Sequence, residues 1–312
     1  MIKKSLLVTL FFFQSFLLAA QSDKAMLKEL FSASSTKDII PTALWKISGN
    51  DVSRNVYLLG SCHVVGLDWL KRQPGMEEVI KNSSTLVTES FGATVSSSEL
   101  SAYKSLKAVD LLDKEQYRVL DSFFRANAGE TEGLANEDAK NASVVDMAGG
   151  ILEMLLRQNV KGTYTQMDLE LFQLFKSQKK KTGALETPQD LDFQVKDSVA
   201  AKILLDKYTD LVKSRNIFNL DDENSEVNTL IQWYKSQKFD YRLNKDWPPN
   251  LIQERSAMTV PERNKKWMEV LKNNFKTENT LIVVGIFHFF YKTGLIALLR
   301  EEGYIVEPVV FN

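Results

Sequence analysis

The chain is poor in the residues that usually announce a function: 312 residues carry 2 His and 1 Cys. A lone thiol, Cys62, excludes an internal disulfide framework. With 14 Gly and 7 Pro, the composition is neither collagen-like nor that of a disordered linker. Neither sign of charge prevails. Lys and Arg number 39 against 40 Asp and Glu, a net charge of −1, so the basic face of a nucleic-acid binder is not expected. After residue 20 no run of 18 apolar residues occurs, which predicts no further transmembrane helix. There is no Gly-x-Ser-x-Gly elbow, His-Glu-x-x-His helix, P-loop, Gly-x-Gly-x-x-Gly turn or internal repeat. What remains is 44% hydrophobic and 25% charged, a globular composition long enough to bury a full core without staples.

The first 20 residues read as a secretory signal. Lys3 and Lys4 precede an apolar run from Leu6 to Leu18, interrupted only by Thr9, Gln14 and Ser15, and Ala19-Ala20 supplies small residues for cleavage. The run is too short to span a bilayer comfortably, so the expectation is an exported, periplasmic or secreted protein with no stable membrane span after cleavage.

Beyond the signal, apolar runs at Asn55–Leu59, Thr85–Thr88 and Thr280–Val284 predict strands, the first and third covered on both faces. Ala43–Ile47 predicts a partner for Val56–Leu59 across Ser48–Asp51, and Tyr304–Val310 a further strand edged by Pro308. Residues 97–275 read as mostly helical. A helix opens at Ser97–Leu100, and three- and four-residue spacing marks 141–158, 166–181, 190–213, 225–237 and 261–275. Breaks are expected at Gly129/Gly133, Gly162, Thr182-Gly183, Asn219–Asn224 and Trp247–Pro249, and Lys179–Lys181 reads as the solvated last turn of a helix. The expected fold is α/β. A central mixed sheet forms from the N- and C-terminal parts of the mature chain, 21–312 as a single domain, with the helical insert between them.

Both histidines fall at the same point of one local pattern. His63 ends Gly60-Ser61-Cys62-His63 and His288 ends Gly285-Ile286-Phe287-His288, each three residues past a glycine that closes an apolar strand. The carboxyl ends of strands are where open α/β sheets bind ligands, and the glycines are expected to let the backbone turn sharply there. Glu89 follows the third strand directly, so two imidazoles and a carboxylate are delivered to one rim. Such a set is either a facial metal triad or a metal-free acid/base group, and spacing does not choose between them. With no third histidine, harder ions or metal-free catalysis are favoured over zinc. Cys62 is adjacent to His63 and points the other way, which argues against a thiol nucleophile.

These residues resemble the TraB/GumN family, which includes Tiki-type metalloproteases and is related to the erythromycin-esterase and haem-binding ChaN folds. Gly60–His63 with Leu67-Asp68 and Leu86–Glu89 resemble its opening. Asp168 on a helix, then Gly183–Thr187 with Gln189, resemble its mid-chain strand motif, which implies Glu186 at another strand end. Arg263-Asn264 with Trp267 is similar to its Arg-Asn helix, and Gly285–His288, Gly294-Leu295 and Gly303–Pro308 follow its C-terminal signature. Phe289–Lys292 departs from it, being bulky where the family commonly has a small residue.

The resemblance implies His63, Glu89 and His288 as a metal-binding or acid/base centre, holding Mn²⁺, Co²⁺ or Zn²⁺. Arg263 would pair with a carboxylate or stabilise an oxyanion nearby. Glu186, Asn264 and Tyr291 are further candidates, and Asp168 is expected to brace its helix. The function implied is an exported, metal-dependent hydrolase of peptide, amide or ester bonds. The alternatives are a haem- or metal-binding periplasmic protein, with Phe287, Phe289 and Phe290 as the apolar pocket, or a catalytically inactive binding member.

Overall fold

The computed structural model describes residues 39–91, 106–159, 166–186, 198–214, 226–248, 259–275 and 278–311. The expected signal, the helix start at Ser97 and the breaks at Gly162 and Asn219–Asn224 lie outside them. In chain order the elements are β1 (Ile39–Ile40), β2 (Leu44–Ser48), β3 (Val56–Ser61), α1 (Leu67–Lys71), α2 (Met76–Asn82) and β4 (Thr85–Thr88). A 3-10 turn at Ala108–Asp110 precedes α3 (Lys114–Ala128), α4 (Glu137–Asn141), α5 (Val144–Asn159) and α6 (Met167–Ser177). Then come β5 (Lys181–Ala184), α7 (Ser198–Ser214), α8 (Glu226–Ser236), β6 (Phe239–Asp240) and α9 (Val260–Asn274). The chain closes with β7 (Thr280–Gly285), a 3-10 turn (Ile286–Phe289), α10 (Leu295–Glu301) and β8 (Ile305–Pro308).

Six strands form one mixed sheet in the order β5-β4-β7-β3-β2-β8. The four from β5 to β3 run parallel, with Ser61 opposite Gly285 and Thr88 opposite both Val283 and Ala184. Strand β2 pairs antiparallel with β3 over Leu44–Ile47, as the alternation of those residues predicts, and β8 closes that edge with Pro308 opposite Trp45. The central strands are buried on both faces: Leu58, Leu59, Leu281, Ile282, Val283 and Val284 are all inaccessible. Each large aliphatic side chain so buried stabilises the fold by roughly 1.5–3 kcal/mol. A second hydrophobic cluster, including Leu120, Met147, Ile151, Leu205 and Tyr208, joins α3, α5 and α7.

The insert is not wholly helical, because it contributes β5 to the sheet and β6 to a two-stranded pair with β1. Helix α6 stops at Ser177, short of the expected 181. Lys179 takes a left-handed φ of 56°, and the Lys180 amide closes back on the Phe175 carbonyl. Lys-Thr-Gly-Ala is too small and polar to read as a strand, yet as a part-exposed edge it needs no apolar face. The three lysines therefore do not end a helix. Lys180 Nζ donates to the carbonyls of Ile80 and Lys81, capping the C-terminus of α2, and Lys181 pairs with Glu278. They line a cavity of about 570 Å³ with Arg54, Lys81 and Asn279, at the amino ends of the strands.

Candidate active site

Everything chemical gathers at the other end, past the carboxyl ends of β3, β4, β5 and β7. Strand β3 runs into a turn closed by the Val65 amide on the Cys62 carbonyl (2.9 Å), which presents His63 above the sheet. Strand β4 delivers Glu89, and the Glu186 amide donates to the Glu89 carbonyl (2.8 Å), so the two carboxylates emerge side by side. After β7, the 3-10 turn Ile286–Phe289 carries His288 inward.

Helix α9 faces these groups. Thr259 and Glu262 form a reciprocal cap at its start. Three- and four-residue spacing then puts Arg263, Asn264 and Trp267 on one face. Arg263 donates from Nε to Glu186 Oε1 (2.5 Å) and from Nη2 to Glu186 Oε2 (3.0 Å) and Glu89 Oε2 (2.7 Å). Its Nη1 lies 3.4 Å from His288 Nε2. The indole of Trp267 backs the arrangement, with the His288 ring stacked on it at 4.3 Å and the guanidinium 4.8 Å from the ring centre.

The tautomer of His288 follows from its neighbour. Asn264 Nδ2 donates to the carbonyls of His288 (3.1 Å) and Thr293 (2.8 Å), which leaves Oδ1 as the acceptor. His288 Nδ1, 2.6 Å from that oxygen, must carry the proton, and Nε2 turns its lone pair towards Arg263. Burial pushes the pKa of this ring down to about 3, so it stays neutral.

His63 behaves oppositely. Its Nδ1 lies 3.1 Å from Asp168 Oδ2, in the first turn of α6. Burial works against a charged ring, but the attraction and hydrogen bond of Asp168, with Glu89 behind, outweigh it and raise the pKa. Burial also opposes the Glu89 anion. Arg263, the His63 imidazole and the Gly285 amide (2.6 Å to Oε1) overcome that and hold its pKa below the usual range. Glu186 is pushed up, because burial dominates its pairing with Arg263.

His63, Glu89, His288, Arg263, Glu186 and Asn264 are thus brought together, and Asp168 joins them. Its expected role in bracing its own helix is replaced by a bond to His63 across 105 positions, which no local spacing signals. Tyr291 goes elsewhere: its ring lies edge-on to Trp247, and its hydroxyl is 3.3 Å from Arg242 Nη1. Burial raises the Cys62 thiol to about 12, which leaves no thiolate near neutrality. The Phe287 and Phe290 rings close on Trp233, and Phe289 and Phe290 on Tyr241, so this aromatic layer is filled by its own members.

The glycines also have a different reason from the expected sharp turn. Neither Gly60 nor Gly285 has a positive φ, and Gly285 sits at φ −54°, ψ 135°. What they supply is room. A Cβ at Gly60 would come within 2.8 Å of Phe289 and 2.9 Å of Ile286.

The model of the TraB/PrgY/gumN family matches residues 43–308, most of the chain. The chain belongs to that family. No curated protein and no solved structure matches it. The TraB/PrgY/gumN match spans every strand of the main sheet and every residue of the cluster. The metal that the resemblance implied can be tested against this member's own donors. Both imidazoles are anchored through Nδ1, the habit of metal-ligating histidine. Yet the Arg263 cation already meets Glu89 and faces His288 Nε2. Among the described residues, no three His, Cys, Asp or Glu side chains are disposed to hold an ion. As arranged, the donors fit an arginine-centred site and not a metal centre.

Proposed function

We propose that the protein is an exported hydrolase that cleaves an amide or ester bond, in a peptide or a small molecule, by direct attack of water. One observation carries this reading: a single buried site holds two imidazoles whose surroundings drive their proton affinities apart, His63 up and His288 down. Such a division assigns acid–base roles. His63, its Nδ1 proton held by Asp168, takes a proton from water at Nε2. The hydroxide oxygen bonds to the substrate carbonyl carbon, and the positive charge of Arg263 offsets the developing oxyanion. The carbon–nitrogen or carbon–oxygen bond then breaks, and His63 returns its proton to the leaving group. Glu89 orients the water, His288 holds Arg263 as a neutral acceptor, and Cys62, whose thiol stays protonated, takes no part as a nucleophile. The signal-like residues 1–20 support action outside the cytoplasm.

A metal-assisted form is the second reading, favoured by the Nδ1 anchoring of both rings. It requires Arg263 to withdraw from His288, after which His63, Glu89 and His288 would hold Mn²⁺, Co²⁺ or Zn²⁺ to polarise the carbonyl and acidify water. Chelator-treated, tag-free protein should be assayed on p-nitrophenyl acetate and on a defined peptide mixture followed by mass spectrometry. Turnover that survives chelation and falls by about 10²-fold or more in His63→Ala is the expected result. Turnover lost on chelation and restored by Mn²⁺ would transfer the conclusion to the metal form. No hydrolysis with or without added metal would overturn both.

A further inference from the structure

We propose that the cavity at the amino ends of the strands is a binding site for a small soluble molecule carrying two or more phosphate groups. The site lies apart from the candidate active site and stands whether or not the hydrolase reading holds. From Asn279 at the cavity to Gly285 beside the cluster is about 20 Å of extended chain. Five cations, Arg54, Lys81, Lys179, Lys180 and Lys181, share the cavity of about 570 Å³ with one carboxylate, Glu278. Five positive charges against one negative leave +4 there, in a chain whose net charge is −1.

The cavity is built by the fold and not by loose side chains. Asn279 ties its floor. The Asn279 carbonyl accepts from the Ser84 and Thr85 amides (2.9 and 3.1 Å), Oδ1 accepts from the Asn55 amide (3.1 Å), and Nδ2 donates to the Asn82 carbonyl (3.3 Å). The entries to β3, β4 and β7 are thereby locked together. The left-handed turn at Lys179 takes the lysine run out of α6 and into the cavity wall. Lys180 is anchored inward by the carbonyls of Ile80 and Lys81, with Nζ 4.8 Å from the Phe175 ring centre. Glu278 is turned onto Lys181 and the Thr85 hydroxyl. Arg54, Lys81 and Lys179 are exposed, and their side chains make no ion pair or hydrogen bond among the described residues. Like charges held together in this way repel one another, and a bound anion relieves the repulsion.

The lining selects phosphate. A phosphate group carries about −1.5 to −2 near neutral pH and presents three acceptor oxygens, so two such groups match the local charge. The Arg54 guanidinium offers five N–H donors and the Lys81 and Lys179 ammonium groups three each. The volume lies within the range of about 300–1,000 Å³ of small-molecule sites. No apolar or aromatic residue is among those lining the cavity, so neither an acyl chain nor a base ring finds a surface there. The phosphates themselves are what is recognised.

Isothermal titration of the purified protein with inorganic pyrophosphate and tripolyphosphate tests this, in buffer free of divalent cations. At an ionic strength of about 0.01 M, binding should saturate with a Kd below about 1 mM. Orthophosphate should bind about 10-fold more weakly or worse, because it meets only part of the cation set. In the double variant Arg54→Gln/Lys81→Gln the pyrophosphate Kd should rise about 10-fold or more. Both residues are exposed, so the melting temperature of that variant without ligand should match wild type. Lys114→Gln/Arg118→Gln, an exposed pair on α3 whose loss changes the net charge equally, is the control and should bind as wild type does. Vesicles containing phosphatidic acid should not sediment the protein. No saturable binding, an unchanged Kd in Arg54→Gln/Lys81→Gln, or equal weakening in the control would overturn the proposal. Sedimentation with the vesicles that the same double variant abolishes would also overturn it, because the ligand would then be a lipid surface.

Discussion

Arg263 is the residue on which the site's charge balance turns. Two carboxylates, Glu89 and Glu186, leave adjacent strand ends nearly inaccessible to solvent, and one guanidinium satisfies both. Replacing it by Met would strand two buried acids. Breaking a buried ion pair from one side costs about 3–5 kcal/mol, so Arg263→Met should lower the urea midpoint by that equivalent. A midpoint shift below about 1 kcal/mol would mean that the carboxylates find protons or water instead. Lys could not replace Arg faithfully, because the Nε and Nη2 fork on Glu186 needs a planar group. At this scale the sequence was most informative for His63 and His288, whose common strand-Gly-x-x-His setting is a purely local signal. It marked Asp168 only as a helix brace, because an acid in the first turn of a helix looks like ordinary dipole complementation, and its partner lies far away along the chain.

Among the elements, the closest fit is between β3 and the 3-10 turn that carries His288. Gly60 lies under Ile286 and Phe289 with no room for a methyl group, and Tyr234 Oη donates to the Gly60 carbonyl (2.7 Å) from α8. Gly60→Ala should therefore destabilise by about 1–3 kcal/mol through overpacking. Thermal melts check this, and an unchanged melting temperature would show that the turn can lift away. Strands β3 and β7 were legible because a strand buried on both faces must be apolar at every position. Strand β5 was legible only through the family resemblance, which put Glu186 at a strand end, because an edge strand answers to its neighbour's hydrogen bonds rather than to an apolar face. Its residues, Lys181–Ala184, sit within a helical stretch and carry no alternation.

For the whole molecule, the two rings give stability a pH signature. His288 has a folded pKa near 3, below the ordinary value of 6.5, so the unfolded chain binds a proton there that the folded chain refuses. Stability from this group is complete above about pH 6.5 and falls as pH drops towards 3, with a slope approaching about 1.4 kcal/mol per pH unit. His63, with a raised folded pKa, has the opposite sign. Its contribution is full below 6.5 and is lost as pH rises through its folded pKa. Urea titrations from pH 4 to 6.5 should show the acid-side slope in wild type and a shallower one in His288→Gln. Equal slopes would mean that the ring is not buried as described.

The sheet order also sets a timetable for synthesis. Strand β7 lies between β4 and β3, yet it is made about 190 residues after β4 ends. At 5–20 residues per second, the ribosome takes roughly 10–40 s to reach it. Through that interval β3 and β4 have no common neighbour, and His63 and Glu89 have no shared floor. The growing chain cannot assemble the rim of His63, Glu89 and His288 early, and those side chains meet only after β7 and the turn beyond it have been made.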